Sequence, residues 1–509
     1  MHSLTWPFDF ALLRNAALRV THNVFRKSVL KATHRVPMAL TALVLGACSS
    51  TITTPNAPIP GPTQSSAPGT PLQHVIIVFQ ENRSFNNLFM KFPGADTSTI
   101  GRCVPYTPPG FKEICNDPDP QKRVVRMHPI TLETCGCLGG TDISHTHASL
   151  ELEYNGGKMD GFDRISLGTS GSLGPAKFYP YAYVERSEVQ PYWDMASQYG
   201  LADHMFSTAT TDSFVAHQEI IAGTNELNGH MALTDIPSGI PWGCDAPSGT
   251  VTGVIYANGR VNDFGGPFPC LTEYGTMADV LDAANVSWKY YVESYDLNSP
   301  YVDFGGRVWN AFDVIKRVRY GRDWKNVTIP NTKVFADIKA GRLPQVSWVI
   351  PSLATSDHPA SGYNLGPSWV TSVVNAVGKS QYWKNTAILI MWDDWGGFYD
   401  NVPPPQLDYT SLGMRVPLIV VSPYAKHHFV SKTQYEFGSV LKFIEQTFGT
   451  HSLGSTDVRA NSIVDMFDFS QSPSTFQPFH AQYGQRYLLE HQHFEASDKL
   501  IERNGGPPD

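Results

Sequence analysis

The chain has 509 residues, which is enough for a large buried core and favours an enzyme over a small binding module. Its 41% of hydrophobic residues and 17% of charged residues are typical of a folded globular protein. The formal net charge of −8 and the lack of a long basic run argue against nucleic acid as a stable partner.

The amino terminus predicts export. Basic residues precede an apolar stretch over residues 36–47, which is followed at once by Cys48. This pattern resembles a bacterial lipoprotein signal, in which the cysteine carries lipid and the residues before it are removed. We therefore expect a signal segment over residues 1–47 and a periplasmic or outer-surface lipoprotein attached to a membrane through Cys48. The alternatives are an ordinary signal peptide cleaved nearby, with a secreted product, or a short buried helix.

The segment that follows, residues 48–71, is rich in Ser, Thr and Pro and almost uncharged, so it predicts a flexible linker. Residues 72–470 then carry the hydrophobic runs of a folded domain, and residues 471–509 form a C-terminal extension. The linker would hold the folded domain away from a membrane surface.

Strand-like and helix-like patterns alternate along the folded domain. Apolar runs typical of buried strands cover residues 74–79, 345–350, 386–391 and 417–421, and helical patterns cover residues 369–377 and 436–448. This alternation predicts an α/β fold, with a mainly parallel central sheet flanked by helices. Residues 103–137 and 239–322 are rich in Gly, Pro, Asn and aromatic residues without clear periodicity, and we interpret them as loop-rich insertions.

The remaining six cysteines form an even set. They are Cys103, Cys115, Cys135, Cys137, Cys244 and Cys270. In an exported chain such a set predicts disulfides, although the sequence leaves the connectivity open. The alternative is a zinc site, but the pair at 135 and 137 lacks the usual two-residue spacer and has no second pair to match it.

Two acidic motifs directly follow predicted strands. Glu81-Asn82 comes after the first strand, and Asp393-Asp394 comes after the strand at 386–391. Ligands of open α/β sheets gather at the carboxyl ends of the strands, and paired carboxylates there favour a divalent cation that offsets their repulsion. The alternative for either pair alone is a solvated loop or a helix cap.

Ser213 lies at the start of a predicted short helix that ends at Gly223. A serine at this position is commonly an N-cap, which satisfies a free backbone N–H group. It can also be a nucleophile, because the helix start offers N–H donors and positive potential to a phosphate, and a nearby metal lowers the pKa of the hydroxyl.

Four histidines are further candidates: His145, His147, His217 and His358. Any one of them alone is more commonly structural or exposed. Beside a metal and a phosphate, however, a histidine can donate a hydrogen bond to the phosphoryl oxygens or a proton to the departing alkoxide.

Six motifs carry a resemblance to a known family. In chain order they are Glu81-Asn82-Arg83-Ser84-Phe85, Asp142-x-x-His145, Lys158-Met159-Asp160-Gly161-Phe162, Ser213-Phe214-x-Ala216-His217-Gln218, Asp357-His358-Pro359, and Asp393-Asp394-x-Gly396-Gly397-Phe398-Tyr399-Asp400. Together they resemble the bacterial phospholipase C and AcpA-type acid phosphatase family of phosphoesterases, over nearly all of residues 72–450. One such motif is weak evidence, whereas six in the family's order are strong.

The resemblance implies an alkaline-phosphatase-like core, a catalytic domain over residues 72–470 and one divalent metal ion of open identity. It implies that Ser213 is the nucleophile and that His145 and His358 contact the phosphoryl group, with His147 and His217 as less firmly placed substrate contacts. The implied metal ligands are Glu81, Asn82, Ser213, Asp393 and Asp394.

Three positions depart from the family pattern. Asn401 stands where the family often has histidine, which leaves the choice of substrate open. Asp394 stands where many members have glutamate, and still supplies a hard oxygen ligand. Thr211-Asp212 stands where many members have Gly-Pro, so the loop before the serine is expected to differ in shape.

The expected function is metal-dependent hydrolysis of phosphate esters. The substrate is either a phosphodiester, as for a phospholipase C acting on phospholipid headgroups, or a phosphomonoester, as for an acid phosphatase. A serine acyl hydrolase is an alternative function, but no Gly-x-Ser-x-Gly motif follows a strand-like run. A non-catalytic surface binding protein on the same fold is the other alternative.

Overall fold

The computed structural model describes residues 70–105, 115–132, 142–168, 175–294, 303–359 and 361–490. The predicted signal segment, Cys48 and nearly all of the predicted linker lie outside these ranges, as do Cys135 and Cys137. Within them, no helix has the length and apolar character needed to cross a membrane.

The strands are numbered in chain order. They are β1 (His74–Gln80), β2 (Ile100–Arg102), β3 (Val124–Arg126), β4 (His128–Ile130), β5 (Ala182–Val184), β6 (Gly200–Ala202), β7 (Glu226–Asn228), β8 (Met231–Thr234), β9 (Gly253–Tyr256), β10 (Val261–Asn262), β11 (Trp288–Tyr291), β12 (Val327–Thr328), β13 (Val346–Val349), β14 (Thr386–Trp392), β15 (Leu418–Val421) and β16 (Phe429–Ser431).

The α-helices are numbered in the same way. They are α1 (Phe85–Phe89), α2 (His147–Tyr154), α3 (Gln190–Gln198), α4 (Ser213–Ala222), α5 (Met277–Ala283), α6 (Phe304–Val308), α7 (Ala311–Val314), α8 (Lys316–Arg319), α9 (Lys333–Lys339), α10 (Gly366–Gly378), α11 (Phe437–Phe448), α12 (Thr456–Arg459) and α13 (Gln485–Glu490).

A central eight-stranded sheet has the order β12-β11-β13-β1-β14-β15-β6-β16. Neighbouring strands are parallel from β12 to β14, whereas β15 is antiparallel to both β14 and β6. Every residue of β1 and β14 is buried, which explains why their sequences are continuous apolar runs. The predicted α/β fold with a mainly parallel sheet is confirmed, and the four predicted strands correspond to β1, β13, β14 and β15.

The prediction that residues 239–322 form only an insertion is wrong in part. This segment contains β11, which pairs in parallel with β13 inside the central sheet. The strand has four residues and includes the partly exposed Lys289, so its sequence lacks the long apolar run that marks β1. A separate antiparallel sheet, in the order β10-β9-β8-β7, begins just before this segment and extends into it.

Two disulfides join the cysteines that the structure describes. They are Cys103–Cys115 and Cys244–Cys270, so these four sulfurs are not zinc ligands. The disulfide prediction is confirmed for these pairs, and the connectivity that the sequence left open is local in both, with separations of 12 and 26 residues.

Helices cover the sheet at the two predicted positions. Observed α10 extends the predicted helix at 369–377 by a few residues at its amino end, and α11 matches the prediction to within one residue. Beyond residue 470 the chain packs back on α10, where the side-chain amide of Asn375 bonds the backbone of Phe479 in both directions (2.8 and 2.9 Å).

We expect the substitution Glu445→Gln in α11 to stabilise the protein in a pH-dependent way. Glu445 is fully buried, and burial, with Asp457 close by, raises its pKa from 4.5 to about 8. Above pH 4.5 the unfolded chain releases a proton that the native state retains, so the free energy of unfolding of the wild type falls as the pH rises towards 8. The neutral glutamine can keep the hydrogen bond from the Leu453 backbone (2.7 Å) without this loss.

Urea unfolding at pH 5 and pH 8 measures the difference. The free energy of unfolding of Glu445→Gln, relative to that of the wild type, should increase by about 2–4 kcal/mol from pH 5 to pH 8. Glu490→Gln, at a half-exposed carboxylate, serves as the control and should show a change under about 0.5 kcal/mol. An advantage that is the same at both pH values would contradict the raised pKa.

Candidate functional site

The two acidic motifs meet at the carboxyl edge of the sheet. Strands β1 and β14 are parallel neighbours in register, with Gln80 beside Trp392, so the residues that follow each strand emerge together. The backbone N–H of Asn82 donates to Oδ1 of Asp393 at 2.7 Å. Glu81, Asn82, Asp393 and Asp394 are all fully buried.

The loops that carry these motifs are packed backbone against backbone. Asn82 has a positive φ of 56°, and Gly396 in the opposite loop has a φ of 59°. A Cβ atom at Gly396 would lie 2.2 Å from the carbonyl oxygen of Asn82, so only glycine fits there. The N–H of Gly396 also donates to Oδ1 of Asp394 at 2.7 Å, which fixes that carboxylate.

Ser213 reaches the same place from α4. Its Oγ donates to Oδ2 of Asp394 at 3.0 Å and accepts a hydrogen bond from Nδ2 of Asn82 at 3.3 Å. The alternative that Ser213 is the N-cap is wrong, because Asp212 occupies the cap position and Ser213 is the first helical residue. The predicted end of the helix is confirmed, since Gly223 closes it in the left-handed conformation.

His145 lies beside Asn82. Its Nδ1 is 2.6 Å from the carbonyl oxygen of Ile143, which can only accept, so Nδ1 carries the proton in the neutral ring and Nε2 is an acceptor. Nε2 therefore accepts a hydrogen bond from Nδ2 of Asn82 at 2.9 Å. It also lies 4.0 Å from Oδ2 of Asp394, so the structure brings His145 together with the serine and both acidic motifs.

His358 lies across from His145, with 6.5 Å between the ring centroids. Its Nδ1 donates to the carbonyl oxygen of Pro359 at 2.5 Å, which leaves Nε2 without a proton in the neutral ring. Burial lowers the pKa of His358, while the neighbouring Asp142 opposes that shift. The two histidines implied to contact a phosphoryl group thus lie on the same site.

The other two histidines are placed differently. His217 is fully buried, and its Nε2 lies 3.1 Å from Oε1 of Glu81. Glu81, His217 and Asp393 each offer a ligand atom within 4.8 Å of the other two, so His217 lies among the expected metal ligands. His147 instead contacts the loop before Ser213, where its Nδ1 donates to the carbonyl oxygen of Thr210 at 2.8 Å.

The departure at Thr211-Asp212 has a structural role. The hydroxyl of Thr211 donates to Asp235 at 3.0 Å and accepts from its backbone N–H at 2.7 Å, and Asp235 also accepts from the backbone N–H of His147. This link ties the loop before Ser213 to β8. The Asp212 carboxyl is buried with no hydrogen-bond partner, and burial, with Asp235 near, raises its pKa.

The donor set fits a metal ion. Oε2 of Glu81, Oδ1 of Asn82 and Oδ2 of Asp393 are buried and have no hydrogen-bond partner. Burial and the repulsion of the neighbouring carboxylates raise the pKa of both Glu81 and Asp394, because both effects disfavour the ionised form. A bound cation would offset this repulsion. Carboxylate, amide and hydroxyl oxygens suit a hard divalent ion, and the imidazole of His217 also allows zinc or iron.

The sequence did not indicate two groups of residues that support the candidate histidines. Nε1 of Trp395 donates to Oε2 of the fully buried Glu153 at 2.6 Å, and the Trp395 ring contacts His145 edge-on with 6.1 Å between centroids. Asp357, beside His358, accepts from the hydroxyl of Tyr192 at 2.9 Å and from Nε1 of Trp392 at 3.0 Å. No local motif marks Glu153 or Tyr192, because each acts through a partner far away in the chain.

Asn401 lies outside this cluster. Its side chain donates to Asp96 at 2.9 Å and accepts from Nη2 of Arg415 at 3.2 Å. The position where the family often has histidine therefore takes part in the hydrogen bonds around Arg415, and it is half-exposed.

Comparisons with known proteins agree with the motifs. The model of the phosphoesterase family matches residues 72–451. Phospholipase C A of Mycobacterium tuberculosis is 27% identical over 454 residues, which cover 80% of this chain and 79% of that protein. Non-hemolytic phospholipase C of Pseudomonas aeruginosa is 25% identical over 74% of this chain and 54% of that protein. Non-specific phospholipase C1 of Arabidopsis thaliana is 22% identical over 79% of this chain and 72% of its own length.

Solved structures with a similar arrangement include an alkaline phosphatase superfamily protein from Vibrio parahaemolyticus. It is 11% identical, with a TM-score of 0.31, and the match covers 63% of this chain and 83% of that one.

Proposed function

Because this chain belongs to the phosphoesterase family and is a hydrolase that acts on phosphate esters, we propose that it cleaves phosphodiesters of the phospholipid type with Ser213 as the nucleophile. The observation that carries the proposal is the position of the Ser213 hydroxyl. It lies at the start of α4, within hydrogen-bond distance of Asn82 and Asp394, at the carboxyl edge of the sheet.

A divalent metal at this position is part of the proposal. The residues that would hold it are Glu81, Asn82, Ser213, Asp393 and Asp394, with His217 as a further donor. Such an ion would supply positive charge that lowers the pKa of the serine hydroxyl and offsets the charge of the phosphoryl oxygens. The orientation of Asn82 supports this, because its Nδ2 faces three acceptors and leaves Oδ1 free as a ligand.

In the proposed reaction, each step is assigned to particular residues of the chain. Asp394 accepts the proton of the Ser213 hydroxyl as Oγ attacks phosphorus, and the bond between phosphorus and the departing alcohol oxygen breaks. The free N–H groups at the start of α4 face the negative charge that develops on the phosphoryl oxygens. Water subsequently cleaves the phosphoserine, which frees Ser213 for another cycle.

The departing alcohol needs a proton, and we assign this donation to His358. Its Nδ1 is held by the Pro359 carbonyl, so a proton taken up by the ring resides on Nε2. A bound phosphate favours the protonated ring by its negative charge, against the lowering of the pKa by burial. His145 instead orients Asn82 through the 2.9 Å hydrogen bond and contributes a second imidazole near the phosphoryl group.

The choice of a diester rests on the relatives, several of which are phospholipases C. Attachment to a membrane through Cys48 would place the domain close to such substrates, and this export and lipidation remain part of the proposal. Phosphomonoester hydrolysis at the same serine is the second candidate, since it uses the same residues and differs only in the second ester group.

Turnover of p-nitrophenylphosphorylcholine and of p-nitrophenyl phosphate by the purified domain distinguishes these candidates. We expect faster cleavage of the diester, a loss of at least about 100-fold with a metal chelator, and recovery when a divalent ion is added back. Faster cleavage of the monoester would assign the phosphatase reaction instead. Turnover that a chelator leaves unchanged would contradict the metal, and no turnover of either ester would favour a binding protein.

A further inference from the structure

The carboxyl end of α4, opposite the end that carries Ser213, opens into a cavity of about 350 Å³. Its wall consists of polar side chains and two glycines, without an aliphatic side chain. The residues that bear on its chemistry are Glu219, Glu226, Asp408, Tyr409 and Arg459. A cavity lined in this way favours a charged or strongly hydrated ligand over an apolar one.

Glu219 is the unexpected member of this wall. It is 1% exposed, and its Oε2 has no hydrogen-bond partner. Burial and the nearby carboxylates of Glu436 and Asp408 raise its pKa. A buried carboxyl group without a hydrogen-bond partner at the wall of a cavity lowers the folding stability, unless a ligand supplies the missing hydrogen bond or an opposite charge.

The charges around the cavity determine whether it binds a cation or an anion. Arg459 is the basic residue of the wall, and its Nε and Nη2 both donate to Glu436 at 2.9 Å. Its Nη1 donates to Asp408, so its positive charge is already paired with two carboxylates. Glu226 accepts only from the hydroxyl of Tyr409 at 3.1 Å among the contacts described. An excess of carboxylate is therefore left around Glu219, and this excess repels anions.

The helix adds to this preference. The carboxyl end of a helix carries a partial negative charge, and α4 is ten residues long and ends at Gly223, which lines the cavity. We propose that the cavity binds a hydrated divalent cation, with Glu219 as its buried carboxylate ligand. This site is distinct from the site around Ser213 and does not rest on the proposed function.

The ion would keep part of its water. Within the part of the chain that the structure describes, Glu219, Glu226 and Asp408 are not among the groups whose ligand atoms lie within 4.8 Å of one another. Retained water is the usual binding mode of Mg²⁺, which takes one or two carboxylates and several water molecules, and Ca²⁺ also accepts water among its ligands. Binding displaces the proton that Glu219 otherwise holds.

Thermal unfolding of the whole chain tests the proposal, with MgCl₂ and CaCl₂ as probes and NaCl at equal ionic strength as the control. One of the two divalent salts at millimolar concentration should raise the unfolding midpoint of the wild type by about 2–5 °C. The variant Glu219→Gln, which keeps the shape of the side chain, should lose this shift. Its turnover in the presence of added metal should stay within about twofold of the wild type.

The variant Glu81→Gln separates this site from the one at Ser213. If the cation acts in the cavity, Glu81→Gln keeps most of the shift while Glu219→Gln loses it. A shift that disappears in Glu81→Gln and persists in Glu219→Gln would assign the effect to the site at Ser213 and overturn the proposal. A wild type that responds to neither divalent salt more than to NaCl would overturn it too. If Glu219→Gln unfolds on purification, Glu226→Gln, at an exposed position, provides the same comparison with a partial loss expected.

Discussion

Replacing Ser213 with alanine is expected to lower kcat/KM by about 10³-fold or more, with the fold intact. The hydroxyl is the group that forms the bond to phosphorus in the proposed reaction, and nothing else at the start of α4 can replace it. Its removal leaves the partners Asn82 and Asp394 in place, with their other hydrogen bonds. The loss should therefore appear in kcat, with little change in the thermal midpoint.

A second buried serine provides the control. Ser347 in β13 is fully buried, and its hydroxyl has no hydrogen-bond partner, so Ser347→Ala should change turnover by less than about twofold. Steady-state kinetics with p-nitrophenylphosphorylcholine compares both variants with the wild type. Turnover by Ser213→Ala within tenfold of the wild type would rule out Ser213 as the nucleophile.

Replacing Arg415 with methionine is expected to cost about 3–5 kcal/mol of folding stability. The guanidinium is fully buried, and it donates to Asp400 and to Asp203, each at 3.0 Å. A further hydrogen bond at 2.8 Å reaches the carbonyl oxygen of Asp96. Without the arginine, the buried carboxylate of Asp400 loses its positive partner, and Asp203 keeps Lys432 as its partner. The uncompensated charge of Asp400 accounts for most of the cost.

Urea unfolding provides the measurement. Arg486→Met, which breaks an exposed ion pair with Glu490 on α13, is the matched control and should cost less than about 0.5 kcal/mol. Adding Asp400→Asn to Arg415→Met should restore part of the lost stability, because it removes that uncompensated charge. A cost below about 1 kcal/mol for Arg415→Met would show that the carboxylates find other partners or neutralise by protonation.

The sequence predicted the parts of the site that depend on neighbouring residues. Glu81-Asn82 and Asp393-Asp394 each follow an apolar run, and the rule that ligands gather at the carboxyl ends of parallel strands places both motifs together. The structure confirms this, because β1 and β14 are adjacent and in register. The start of α4 at Ser213 was predictable for the same reason, since it depends on a local helix pattern.

What the sequence did not predict depends on distant contacts. Lys289 interrupts the short strand β11, so its place in the central sheet follows from its neighbours β12 and β13 rather than from its own pattern. The approach of His217 to Glu81 requires the packing of α4 against the sheet edge, which no spacing in the chain encodes. The same holds for Glu153, because Trp395, which donates a hydrogen bond to its side chain, lies 242 residues away.

The close packing between the loop at Asn82 and the loop at Gly396 limits how this enzyme can diversify. A side chain at residue 396 would collide with the opposite backbone, and a shift of either loop would displace the carboxylates of both acidic motifs at once. These two loops can therefore accept few sequence changes. We expect substrate preference within the family to vary through segments outside these two loops, such as the loop before Ser213 and the end of β8 that Asp235 links to it. Directed evolution of new substrates should begin with libraries there.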